Sequence, residues 1–96
     1  MPKESDLVKK IRDWLNDSGC ISFKMHGSIY SHKGFSDIFG VLPGGRAFFL
    51  EVKLPGKKPE KWQEVFLLLV RSQGAVAGWC DSLEGAKGIM TRHLRT

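Results

Sequence analysis

Three residues in the middle of this chain have types and spacing suited to chemistry: Asp37 in "GFSDIFGVL", then Glu51 and Lys53 closing "RAFFLEVK". In an extended strand side chains two apart share a face, so Glu51 and Lys53 stand together while Val52 points the other way with Phe48 and Leu50. The Pro43-Gly44-Gly45 signature between the two apolar runs predicts a hairpin. That pairing sets Asp37 beside Glu51, on strands about 4.8 Å apart. Two carboxylates at such a separation in apolar surroundings do not both ionise unless a cation lies between them. Carboxylate and carbonyl oxygens favour a hard divalent ion, Mg²⁺ or Mn²⁺. Such an ion is a Lewis acid for a phosphodiester and lowers the pKa of a bound water. Lys53, a point charge beside the acids, is suited either to orienting or deprotonating that water or to stabilising charge that builds on phosphorus.

The elements that must hold these residues follow from periodicity. Leu7, Val8, Ile11, Trp14 and Leu15 fall at helical spacing over Ser5–Asp17, Ser18-Gly19 supplies the stop, and Glu4 heads the stripe 4, 8, 11, 15. Residues 20–30, "CISFKMHGSIY", are rich in Ile, Phe and Tyr and predict a first strand, with Gly27-Ser28 marking a bend. The hairpin contributes strands two and three. "PGKKPEKWQEVFLLLVRSQG" predicts a helix with Pro59 in its first turn, Trp62, Val65, Phe66 and Leu69 on one core-facing stripe, and Gly74 at its end. "AVAGWC" lacks polar alternation and predicts a strand buried on both faces, parallel to its partner because it follows a helix. Trp14 and Trp79 are assigned to the core. Asp81 or Ser82 caps a last helix, striped by Leu83, Ala86, Met90 and Leu94. The order is α-β-β-β-α-β-α in a single domain, 1–96.

Composition limits the rest. Ninety-six residues make one domain that buries about two-thirds of its chain surface. Hydrophobic residues at 42% and charged residues at 26% exclude a disordered or collagen-like chain. No apolar run nears the roughly 20 residues of a membrane span, and "MPKESDLVKK" lacks a secretory h-region. A cytoplasmic location without membrane association is expected. Cys20 and Cys80 lie in apolar runs without CxxC spacing, which predicts buried reduced thiols. His26, His32 and His93 form no zinc pattern. The formal charge of +5 and pI near 9.5 favour a polyanionic partner.

Asp37 followed by Glu51-x-Lys53 on the next strand, in this element order, resembles the PD-(D/E)XK nuclease superfamily. Gln63 on the helix after the basic loop, and the small size, resemble its virus-type replication-repair nuclease branch, the VRR-NUC domain, in a stand-alone phage-like form. The resemblance runs from Glu4 to about Cys80. It implies a restriction-endonuclease-like αβββαβ core: a mixed central sheet flanked by helices, with a C-terminal helix added. It also implies metal-dependent endonucleolytic hydrolysis of DNA, with Asp37, Glu51 and the Val52 carbonyl as ligands of Mg²⁺ or Mn²⁺ and Lys53 as the catalytic lysine. Glu4 matches the first-helix glutamate that joins the metal site in junction-cleaving members, and Gln63 a polar group supporting the site. Ser36 stands where the superfamily's name has proline, which makes the motif less specific. Cutting of four-way or other branched DNA follows from the resemblance, and two symmetric cuts call for a two-fold homodimer.

Each residue also has a plainer role open to it. An E-x-K triplet is common as a solvated strand pair, although here it closes the apolar "AFFL" after a hairpin with an acid of its own. Glu4 serves equally as a first-turn acid on the helix dipole, and Gln63 as a solvated glutamine. Lys57, Lys58 and Lys61 are either a soluble face or, following the site strand, contacts to DNA phosphates. Ser31, His32 and Lys33, in a polar loop with His26 and Ser28, are substrate contacts by resemblance. The competing class is a non-catalytic DNA-binding or assembly subunit with the same fold.

Overall fold

The computed structural model describes residues 3–25 and 35–94. Its elements are α1 (Glu4–Asp17), β1 (Ile21–Lys24), β2 (Ile38–Val41), β3 (Ala47–Val52), α2 (Lys61–Ser72), β4 (Val76–Cys80) and α3 (Leu83–Met90), followed by a 3₁₀ turn over Thr91–His93. The strands form one sheet in the order β1-β2-β3-β4. β1–β2 and β2–β3 are antiparallel, and β3–β4 is parallel across the α2 crossover. This is the mixed αβββαβ architecture expected, with the last helix added. No helix among the described residues is long and apolar enough to cross a membrane.

Local chemistry explains the boundaries. In α1, Val8, Ile11 and Leu15 are buried along one stripe, each contributing about 1.5–3 kcal/mol. α1 and α2 both end in the same glycine turn. Gly19 and Gly74 take φ of 95° and 99°, and the residue after each donates back to Leu15 and Val70 respectively, which satisfies the last carbonyls. In the hairpin, Gly45 N–H donates to Leu42 O across Pro43-Gly44 with Gly44 at φ 97°, a type II turn. Ser82 caps α3 by accepting from Gly85 N–H at 2.9 Å.

The main core lies between α1/α3 and one face of the sheet. Ile38, Phe48, Leu50 and Val52 meet Val8, Ile11, Leu15, Ala86 and Met90 there. Gly40 is required on this face. A Cβ would collide with the Ile21 carbonyl oxygen and stand 2.9 Å from the Phe48 ring. Gly40→Ala is therefore expected to loosen β1 from β2 and destabilise the fold by about 1–3 kcal/mol, read as a lower urea midpoint. A midpoint equal to the parent's removes this account.

The opposite face carries α2 and departs from the sequence reading. Phe35, Phe39, Phe49 and Phe66 form an aromatic cluster beneath α2, with Phe49 and Phe66 centroids 5.5 Å apart. The stripe of Trp62, Val65 and Leu69 is nevertheless open to solvent, with Trp62 44% and Leu69 59% exposed, and only Leu67 of α2 is buried. α2 is apolar on more than one side, and its crossover sits over β3 and β4, so the β1–β2 half of this face stays bare. Ile21, Phe23 and Val41 are exposed on that half, and Trp79 is partly exposed on β4. β4 is a sheet edge and is not buried on both faces, and Trp79 is not core, because among the described residues no strand pairs with its outer edge. Pro59 precedes the Glu60 cap instead of lying in the first turn. Trp14 packs against the core, as expected, and Cys20 and Cys80 are free and buried. The first strand spans only Ile21–Lys24, and the bend assigned to Gly27-Ser28 lies outside the described residues.

Candidate active site

The β2–β3 register, Ile38 opposite Leu50, carries one step further to set Asp37 across from Glu51. Three bonds hold Asp37 there. Ser36, fully buried, donates its hydroxyl to Ile38 O at 3.0 Å, Met25 N–H donates to Asp37 O at 2.8 Å, and Val52 N–H donates to Asp37 Oδ2 at 2.8 Å. In extended backbone the N–H and C=O of one residue project to the same side, so the Val52 carbonyl is directed to the side where Asp37 lies. Ser36 and the Val52 N–H were not foreseen as positioning groups. The signal for Ser36 is its type, since serine bonds the backbone two residues on.

Glu51 is 1% exposed, and no donor among the described residues bonds either of its oxygens. Buried carboxylates are ordinarily hydrogen-bonded, so this is the anomaly of the fold. Burial first, then the Asp37 carboxyl, pushes the Glu51 pKa up to about 9. Two ionised carboxylates only accept, so these two can bond to each other solely when one holds a proton. The Lys53 charge and then the Asp37 backbone N–H pull the other way.

Lys53 follows the last strand residue, its N–H donating to Cys80 O at 2.9 Å in continuation of the parallel ladder. Its half-buried ammonium makes no ion pair among the described residues. Glu4, at the head of the buried α1 stripe, has its pKa raised by burial, then by Asp37, with Lys53 opposing. The first helix thus brings its acid within the field of the other residues. The set stops short of a closed cluster: among the described residues no three His, Cys, Asp or Glu side chains form a metal-holding group. Cys80 lies behind the acids with its thiol pushed up to about 12, chiefly by burial. It stays protonated at neutral pH and offers no nucleophile.

The remaining candidates divide. Gln63 is half-buried on α2 and its Oε1 accepts from Glu60 N–H at 2.7 Å, which commits that oxygen to the helix start. No described bond joins it to Asp37 or Glu51. Lys57 and Lys58 are exposed in the turn at Gly56, and Lys61 on the first residue of α2, directly after the site strand. Ser31, His32 and Lys33, with His26 and Ser28, lie outside the described residues.

A scan against protein-family models gives no match, and neither does a comparison with curated proteins. Among solved structures the chain is similar to a VRR_NUC domain with a TM-score of 0.79 at 23% identity, covering 97% of this chain and 99% of that one. This chain and that VRR_NUC domain share one fold over nearly their whole lengths.

Proposed function

We propose that the chain is a divalent-metal-dependent endodeoxyribonuclease that hydrolyses phosphodiester bonds at the Asp37–Glu51–Lys53 end of β3. One observation carries this reading: a fully buried carboxylate, with no donor among the described residues on either oxygen, faces a second carboxylate. The donor set fits a hard cation. Asp37 and Glu51 offer charged oxygens and Val52 a carbonyl, the ligand types Mg²⁺ and Mn²⁺ take. When bound, such an ion supplies Lewis acidity and an acidified water. Glu4 adds negative field at the site without closing a three-carboxylate cluster. Lys53 presents its ammonium to the phosphoryl oxygens. Lys57, Lys58 and Lys61 hold flanking phosphates, as do Ser31, His32 and Lys33, which precede Asp37 in the sequence, and Gln63 supports the start of α2. A non-catalytic DNA-binding subunit has no use for a carboxylate pair that destabilises its own fold.

The test is nicking of supercoiled plasmid. Nicking is expected with Mn²⁺ or Mg²⁺ and not with EDTA, and branched DNA is expected to be cut faster than linear duplex. Activity that persists in EDTA overturns the metal assignment, and equal rates on the two substrates overturn the branched preference.

The assembly is a two-fold homodimer through the α2 layer. Among the described residues eight large apolar side chains, three of them aromatic with about 150–250 Å² each, are roughly half-exposed and amount to roughly 700 Å² in this one layer. That exceeds the about 300–600 Å² patch of a typical monomer and approaches the about 800 Å² each partner gives a standard interface. Sedimentation is expected to show a dimer, and Leu68→Glu/Leu69→Glu a folded monomer by circular dichroism. A monomeric parent, or a double variant that stays dimeric, excludes this interface.

A further inference from the structure

Three of the chain's five arginines meet at the end of the sheet opposite the acids. Arg46 precedes β3, Arg71 lies in the last turn of α2, and Arg92 and His93 form the turn after α3. Together with Ala75, Val76, Ala77 and Ile89 they line a pocket of about 180 Å³. Among the described residues no carboxylate lines it, and none of the three guanidiniums has an ion-pair partner.

Part of this arrangement is structural. Helix C-termini attract cations, and Arg46 Nε donates to the Gly74 carbonyl at 2.6 Å in the turn ending α2. Those roles account for single cations and not for three around one small cavity, where like charges repel. His93 adds a second mismatch. Its Nδ1 stands 3.5 Å from an Arg46 terminal nitrogen and its Nε2 accepts from Arg92 Nε at 3.3 Å. A neutral imidazole has one acceptor nitrogen, so one of these contacts sets donor against donor. Both strains are relieved by a group with several acceptor oxygens and negative charge, and forked guanidiniums match a phosphoryl group in shape as well as in charge.

We infer that the pocket formed by Arg46, Arg71, Arg92 and His93 is an oxyanion site for a single phosphoryl group, separate from the Asp37–Glu51 pair. Glu51 lies five residues further along the same strand from Arg46, about 17 Å away at the rise of extended chain, so one phosphate cannot touch both ends. The phosphoryl group belongs either to a nucleic-acid strand held away from the cut or to a free phosphate ester.

The test follows the His93 ring by NMR in the metal-free protein, at constant ionic strength made up with chloride. Inorganic phosphate, thymidine monophosphate and a short DNA duplex are titrated separately. Burial, then the neighbouring Arg46 and Arg92, lowers the His93 pKa, and a bound phosphoryl group is expected to raise it. Arg71→Ala/Arg92→Ala, at two exposed positions, is expected to weaken phosphate binding at least tenfold, and Arg71→Lys/Arg92→Lys to recover only part of it. Duplex that displaces phosphate assigns the site to a strand, whereas phosphate and nucleotide binding without duplex binding assigns it to a free ester. No movement of His93 with any of the three, equal movement with chloride alone, or unchanged binding in the alanine variant overturns the site.

Discussion

Glu51→Gln is expected to give a protein that is more stable without metal and inert with it. The unfolded chain releases the Glu51 proton near the ordinary carboxyl value of 4.5, whereas the folded chain holds it to about 9. Between those values the native state binds more protons, so the stability of the metal-free protein falls as pH rises from about 4.5 to about 9. Glutamine has nothing to ionise and can donate to Asp37. At pH 7.5 in EDTA the gain should be on the order of 2 kcal/mol after allowance for solvent relaxation around the site, or about 10 °C in Tm. Calorimetry of the same variant is expected to show no uptake of Mn²⁺, and the plasmid assay no nicking. A Tm that falls, or nicking at the parent's rate, contradicts the central role given to this carboxyl.

Lys53→Ala is expected to separate metal binding from turnover. Uptake of Mn²⁺ should persist, because both acids and the Val52 carbonyl remain. Cleavage should drop about 10²–10³-fold, the usual loss when a group that stabilises transition-state charge is removed. Lys53→Arg then distinguishes the two roles open to the ammonium. Arginine keeps the charge but does not lose its proton, so recovery of cleavage points to charge stabilisation and no recovery points to proton transfer. Parent-level nicking by the alanine variant leaves Lys53 outside the chemistry.

The parts of this fold that were legible are those with short-range causes. Val8, Ile11 and Leu15 repeat at helical spacing and are buried along α1. The Pro-Gly-Gly turn sets a register that brings Asp37 opposite Glu51, and Gly19 and Gly74 end their helices with left-handed backbone. What escaped depends on coverage, which spacing does not report. Trp62, Val65 and Leu69 have the period of a buried stripe, yet which side of α2 meets the sheet depends on where the crossover lands. "AVAGWC" has the composition of a central strand and lies at an edge. Arg46, Arg71 and Arg92 are separated by whole elements in the sequence and converge only when the chain is folded. In the candidate site, the burial of Glu51 was implied by "AFFL", whereas the Val52 N–H bond to Asp37 is a product of register and strand end together.

That last bond ties the first acid to the strand bearing the second, so the position of the Asp37 carboxyl is set by the backbone ladder. On the proposed reading, folding sets the two carboxyls together and an ion that binds there displaces the proton Glu51 holds. Uptake of such an ion is therefore expected to release a proton near neutral pH and to weaken as the medium is acidified.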